Sequence, residues 1–348
     1  MNRLWLVLWA LTHAAFIVYG QGGLAVGPPF TLRWTEGRCK GCKIAVGLGR
    51  IQFVSRSEAW GVGCTYLPSQ DFVVVRTDDA GRTWTEVSQT AQHAGDADGP
   101  PAFSFLDSER GWIGWWDLVH EPNIIVTRSA GQDWKPVSHE LVQKVRFIDD
   151  RVGYGTAATS FKRTDDGGHT WAETHIPHLH FIDRMFFVTP ERGWLAGSDG
   201  RDLLVFRTTN GGRDWEESRA SGPKDLGSVR DIFFLDQNRG WLVAWHSDVK
   251  DISTYLYSTV DGGRTWALEP DAPFQGKSSG ATVVRFVSEM RGFAFVEQAQ
   301  HSVMYTADGG AHWSRQVLPH SVYDCQVFEG DLLCSAWPGF SLLTVHPK

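Results

Sequence analysis

Short apolar runs alternate with polar turns rich in Gly and Asp along almost the whole chain. Six times an apolar run ends in Phe, crosses a polar turn and resumes at an aromatic residue beside a Gly: Phe53 to Trp60, Phe105 to Trp112, Phe147 to Tyr154, Phe187 to Trp194, Phe234 to Trp241 and Phe286 to Phe293. Each is followed by a second phrase, Thr-x-Asp-x-Gly-x-Thr-Trp or a near variant, at Thr77–Trp84, Thr127–Trp134, Thr164–Trp171, Thr208–Trp215, Thr259–Trp266 and Thr306–Trp313. The Trp residues that close these phrases lie 37 to 51 apart. Several short strands per repeat of about 45 residues, with one aromatic mark each, predict the four-stranded blades of a β-propeller. No amphipathic helix of useful length interrupts the pattern, which excludes a parallel-sheet αβ fold.

After the sixth repeat, Tyr323 to Pro347 has room for about three strands and lacks the Thr-x-Asp phrase. Phe30-Thr-Leu-Arg-Trp34 has the character of a last strand, so residues 30–36 are expected to complete the C-terminal blade, 323–347. The reading is an all-β, seven-bladed propeller of four-stranded antiparallel blades, one domain over 21–348, whose closure removes both exposed sheet edges.

The recurring residues have local work to do. The Asp carboxylate accepts backbone N–H groups of its own tight turn, the Thr hydroxyl supplements it, and Gly permits positive φ. The Trp anchors a polar hairpin to the core through its apolar face. Asp79, Asp166, Asp261 and Asp308, with Trp84, Trp171, Trp215, Trp266 and Trp313, are therefore assigned structural roles. Ser129 and Asn210 replace the Asp in the second and fourth phrases. A turn survives a neutral acceptor, whereas a catalytic acid does not.

On these phrases the chain resembles the Asp-box, or BNR, repeat proteins: sialidases, sortilin-like receptors, xyloglucanases and the photosystem II assembly and stability factor family. The resemblance covers roughly residues 30 to 348, and it implies that the Asp phrases sit between third and fourth strands, away from the ligand face. A sialidase needs three Arg for a carboxylate, a Tyr activated by a Glu, and an acid/base Asp. The Arg-Ile-Pro phrase usual in sialidases is absent, the nearest stretches being Thr31-Leu-Arg33-Trp34 and Gly49-Arg50-Ile51-Gln52. One seven-bladed domain behind a leader looks more like the assembly-factor family, which implies a noncatalytic scaffold; a sialidase-like exo-glycosidase is the alternative.

Residues 1–20 carry Arg3 and then a nearly continuous apolar run from Leu4 to Tyr19, the pattern of a secretory signal peptide. Removing them takes one of 33 basic residues and no acid, leaving 32 against 40 and a formal charge of −8. The mature chain is expected to be soluble, periplasmic or secreted, and a monomer; its acidity argues against general nucleic-acid binding. In an exported chain the five Cys invite disulfides. Cys325 and Cys334 flank Glu329-Gly330 symmetrically, and a two-residue hairpin turn puts them at a non-hydrogen-bonded pair, where a bridge fits. Cys39-Lys-Gly-Cys42 has neither the His for haem attachment nor a second pair for zinc, so a local disulfide or a bridge to Cys64 is expected.

Aligning blades on the Phe that closes each inner strand puts Arg50, Ala102, Lys144, Arg184, Asp231, Val283 and Cys325 on one level, with Arg146, Arg230 and Arg285 at adjacent levels. A partly basic channel mouth on an acidic protein is expected there, suited to an acidic peptide or carboxylate. The competing reading pairs these cations with Asp183, Asp231 and nearby acids in ordinary rim ion pairs. Three long connections, Cys64 to Asp71, Trp115 to Asn123 and Trp245 to Thr254, should share that face, with Tyr66, Trp115, Trp116 and Trp245 as aromatic contacts for a protein partner or glycan. His175-Ile-Pro-His178-Leu-His180 is dense in His, but a solvated loop is the simpler reading than a metal site completed by Asp183. No metal or cofactor is implied.

Overall fold

In five of the six repeats the residue that opens the second strand is Gly for a steric reason, and in the first it is Ala59. A Cβ at Gly111, Gly153, Gly193, Gly240 or Gly292 would lie within 2.6 Å of the ring of Phe105, Phe147, Phe187, Phe234 or Phe286 respectively. The Phe that ends one strand thus folds over the start of the next, and this pairing sets the hairpin register, as in Phe187↔Gly193 and Phe286↔Gly292.

The computed structural model describes residues 30–40, 48–64, 71–93, 101–114, 123–220, 227–247, 252–269, 272, 276–277, 280–297, 301–336 and 340–348. They form seven antiparallel sheets. Blade 1 runs outward from Leu48–Phe53 through Ala59–Cys64 and Asp71–Thr77 to Thr83–His93. Blades 2 to 6 repeat that order from the inner strands Ala102–Phe105, Lys144–Phe147, Phe181–Phe187, Ser228–Phe234 and Gly280–Phe286. Blade 7 is Val322–Phe328, Asp331–Ala336, Ser341–Pro347 and, outermost, the N-terminal strand Phe30–Thr35. The expected closure is present, with Phe30 opposite Pro347 and Trp34 opposite Leu343. Phe30 is 2% exposed and meets Phe293 and Tyr305 of blade 6 edge-on.

Two further strands add to this plan. Arg38–Lys40 pairs in parallel with Thr83–Thr85 on the outside of blade 1, so the N-terminal segment straps blade 7 to blade 1. Gly276–Lys277 adds a short strand to blade 5. Cys39, within the strap, is disulfide-bonded, while the side chains of Cys42 and Cys64 lie outside the described residues. Cys325 and Cys334 are bonded and opposite each other, with Cα atoms 4.1 Å apart. Glu329 and Gly330 form the connecting turn with φ of 47° and 84°, the signs of a type I′ hairpin.

Between blades the second-strand aromatic lies flat on the Phe of the next inner strand. The ring centroids are 4.3 Å apart for Trp60–Phe105, 3.9 Å for Trp112–Phe147, 4.0 Å for Tyr154–Phe187, 3.5 Å for Trp194–Phe234 and 3.6 Å for Trp241–Phe286. Trp60, Trp112 and Trp194 also donate Nε1–H to carbonyls of the following blade, at Asp107, Gly167 and Gly262. The closing Trp of each turn meets the same Phe edge-on, as in Trp171–Phe147, Trp266–Phe234 and Trp313–Phe286. Trp84 is fully buried and Trp215 packs on Phe161 and Phe187.

The Thr-x-Asp turns join third to fourth strands. In blade 3 Asp166 Oδ1 accepts Thr170 N–H at 2.9 Å and Thr164 Oγ1–H at 2.8 Å, and Oδ2 accepts Thr170 Oγ1–H at 2.6 Å. Asp79 and Asp261 repeat the pattern, and Asp308 does so with His312. Ser129 Oγ and Asn210 Oδ1 still accept the equivalent backbone N–H, from Asp133 and Asp214, each at 3.0 Å. Partial desolvation pushes the Asp166 carboxyl up, but donation from the Thr170 hydroxyl, the Thr170 amide and Thr164 prevails and holds it at about 2.

Two measurements test these contacts. Trp241→Ala is expected to destabilise the chain by about 3–5 kcal/mol, because it opens a cavity over the fully buried Phe286, and to lower the urea midpoint accordingly; Trp241→Phe keeps most of the stack. The Asp166 carboxylate, with its folded pKa below its unfolded one, stabilises above the ordinary carboxylate range and loses that effect as pH falls through about 2. Asp166→Asn, which keeps a neutral acceptor as Asn210 does, should therefore flatten the acid limb of the stability profile between about pH 4 and 2.

Candidate functional site

The inner strands surround a cavity of about 470 Å³, and all six cations singled out from sequence line it: Arg50, Lys144, Arg146, Arg184, Arg230 and Arg285. Their levels follow from hairpin register. Arg50, Lys144 and Arg184 each stand three residues before the closing Phe, opposite Val62, Thr156 and Ala196. Register shifts at this end of the inner strands of blades 1, 4, 5, 6 and 7 mark β-bulges, which re-aim the side chains at the mouth. Arg230 and Tyr323 stand at two of them, and both line the cavity.

An inner strand leaves its channel-side N–H and C=O groups without a ladder partner. Here a polar side chain from the preceding blade supplies one each time. Gln326 Oε1 accepts Phe53 N–H at 2.6 Å, and Gln52 both accepts from Phe105 N–H and donates to its carbonyl, at 3.0 and 2.7 Å. Ser104 Oγ accepts Phe147 N–H at 2.8 Å, and Lys144 Nζ donates to the Ile182 carbonyl at 2.9 Å. Asp183 accepts Val229 N–H at 2.8 Å, Asp231 accepts Val284 N–H at 3.0 Å, and Arg285 Nε donates to the Cys325 carbonyl at 2.7 Å. These seven links cross all seven blade junctions. Sequence reading missed Gln52, Ser104 and Gln326; their signal is the same alignment on the closing Phe, read one or two positions before it.

This belt sorts the cations. Arg285 is fully committed, with Nη1 on Asp231 at 2.5 Å, Nη2 on Asp324 at 3.1 Å, and further donation to Val284 O. For it the ordinary ion-pair reading holds. Lys144 is in the belt, and burial, with Arg184 and Arg50 nearby, lowers its pKa to about 8 despite Asp183. Arg184 donates Nη1–H to the Asp183 carbonyl at 2.7 Å, and burial lowers its pKa. Arg146 is exposed to the channel, whose walls still partly desolvate it and lower its pKa. Among the described residues neither Arg50 nor Arg146 has a hydrogen bond or a carboxylate partner.

Arg230 lies over the indole of Trp245, 3.9 Å from the ring centroid, a cation–π stack at the rim. Trp245 belongs to the strand Gly240–Ser247, which continues past the point where the sequence suggested a connection, so it acts as a fixed shelf for Arg230. Trp115, Trp116 and Tyr66 lie outside the described residues, as does the leader at 1–20. Tyr323 is 44% exposed at the mouth. The described lining contains no glutamate, and its two carboxylates, Asp231 and Asp324, are both held by Arg285, so the Tyr–Glu pair of a sialidase is not assembled among these residues. His178 pairs with Glu217 and His175 with Thr159, while Asp183 serves the belt; among the described residues no three metal-ligating groups come together here.

No family model matches this chain, and no curated protein does. Among solved structures it is similar to YCF48 bound to D1 peptide, with 16% identity over 93% of this chain and 98% of that one, at a TM-score of 0.64. It is similar to YCF48 from Cyanidioschyzon merolae at 16% identity, 91% and 98% coverage and a TM-score of 0.63. The GH74 xyloglucanase from Xanthomonas campestris matches at 15% identity and a TM-score of 0.55; 88% of this chain is covered, against 52% of that one. At these identities the likeness shows the propeller fold.

Lys144 gives the mouth a measurable signature. Its folded pKa, about 8, lies below its unfolded value, so between about pH 8 and 10.5 the unfolded chain binds more protons and stability rises with pH. Urea unfolding across that window should show the rise, and Lys144→Met should remove it.

Proposed function

We propose that this chain is an exported, noncatalytic binding module: the leader at residues 1–20 sends it to the periplasm or out of the cell, and the channel mouth receives an acidic segment of a protein partner. One observation carries the reading. Both acids that line the described mouth are already held by Arg285, whereas Arg50 and Arg146 face the same cavity with no hydrogen bond or ion pair among the described residues. Both guanidinium groups are exposed to the channel, and an arriving carboxylate supplies charge-assisted hydrogen bonds that no group of the described wall gives them. The Arg230–Trp245 shelf adds the amphipathic surface usual at binding hot spots. A YCF48 structure of like fold is likewise bound to a peptide, the D1 peptide. The assembly-scaffold role of the Asp-box relatives that the sequence resembles fits a site of this kind.

Crosslinking in cells that make the tagged mature protein should recover a specific partner, and changing Arg50, Arg184 and Arg230 to Glu should reduce that recovery about tenfold or more. Equal recovery by both forms would move binding away from the mouth. A fluorogenic sialoside should not be turned over; turnover abolished by the same three changes would favour the glycosidase instead.

A further inference from the structure

Lys144 and Arg146 alternate with Val145 and Phe147 on one inner strand; Val145 and Phe147 are buried while both cations line the cavity. Successive side chains of a strand point to opposite faces, so the two cations emerge on the same side, about 6.5 Å apart along the strand. The mouth therefore has two tiers. The outer one holds Arg50, Lys144 and Arg184 at a common register level. The inner one, a two-residue step deeper, holds Gln52, Ser104, Arg146 and Arg285.

The belt has already used most of the inner tier. Gln52 is committed to Phe105, Ser104 to Phe147, and Arg285 to Asp231, Asp324 and Cys325. Arg146 is what remains: a guanidinium exposed to the channel that makes no hydrogen bond among the described residues, in a tier whose other three members each make one. Pairing inside the protein does not explain it.

We propose that the mouth is a two-tier anion site, selective for a ligand whose two negative groups are one two-residue strand step apart, with Arg146 holding the inner group. This rests on the binding reading above and names its ligand class: an extended peptide segment with acidic residues at alternate positions, whose carboxylates project to one side with the spacing of the two tiers. A cavity of about 470 Å³ has the size of a site for a small ligand, enough for a few side chains rather than a folded element.

The test uses the full mature protein and three blocked peptides at low ionic strength, read by calorimetry. The first contains Glu-Ala-Glu, the second Glu-Ala-Gln, and the third Glu-Glu-Ala. The alternate diacid is expected to bind about tenfold more tightly than either of the others. Arg146→Gln should lower its affinity to that of the monoacid and leave the monoacid unchanged, while Arg146→Lys should keep part of the difference. Because Arg146 is uncompensated, Arg146→Gln is also expected to melt no lower than the parent, which separates lost binding from lost folding. Lys144 faces Arg50, Arg184, Asp183 and the Ile182 carbonyl, and Arg146 stands beside it on its own strand. Binding an anion restores its proton, so affinity should fall as pH rises through about 8, and Lys144→Arg should flatten that fall. If all three peptides bind alike, or if Arg146→Gln weakens all of them equally, the two-tier site is overturned while the anion-binding mouth stands. If none binds, both are overturned.

Discussion

Where Trp241 lies on Phe286 at 3.6 Å, two separate sheets are joined through their side chains. The same contact recurs from blade 1 to blade 6, always between the second strand of one blade and the end of the inner strand of the next. Burial of two large rings drives it, and the indole N–H, which must find an acceptor once buried, fixes the angle by reaching a turn carbonyl of the neighbour. Because that stack pins the last residue of the inner strands of blades 2 to 6, it also fixes the height of each residue before it. The levels of Lys144 and Arg184 at the mouth are consequences of aromatic packing below them.

The channel wall shows how structure and electrostatics share the same side chains. Closing a ring of sheets leaves inner-strand backbone groups facing one another across each junction, and Gln, Ser, Lys, Asp and Arg each bridge one. Arg285 and Asp231 look like a charged site in sequence but are part of this bracing. Arg50 and Arg146 are not, and that contrast gives the mouth its residual positive character on an acidic protein.

The fold was legible because each repeat spells out a steric necessity: Phe closing over Gly, Thr and Asp capping a tight turn, Trp locking it. Count, order and closure followed from those marks, down to the opposition of Cys325 and Cys334 across Glu329-Gly330. The six mouth cations were also legible, since one alignment on Phe fixes their height. Which of them is free was not, because that depends on whether the next blade offers a carbonyl or a carboxylate within reach, and no single strand encodes its neighbour. The strap Arg38–Lys40 escaped notice for a similar reason: a three-residue parallel pairing has no periodicity to read. Trp245 reads as part of a connection because its strand, Gly240–Ser247, outlasts the second strands of the other blades.

The strand that finishes blade 7, Phe30–Thr35, precedes in the chain every other strand, while its partner Ser341–Pro347 comes last. An early strand thus waits for a late one, and six blades can take shape before the seventh has a place for it. During that interval the Phe30 side chain and the ladder groups of its strand have no partner, which makes the half-made molecule stickier than the finished one. Ring closure serves here as a check on completion: a chain cut short before its final strand leaves the first one unpaired.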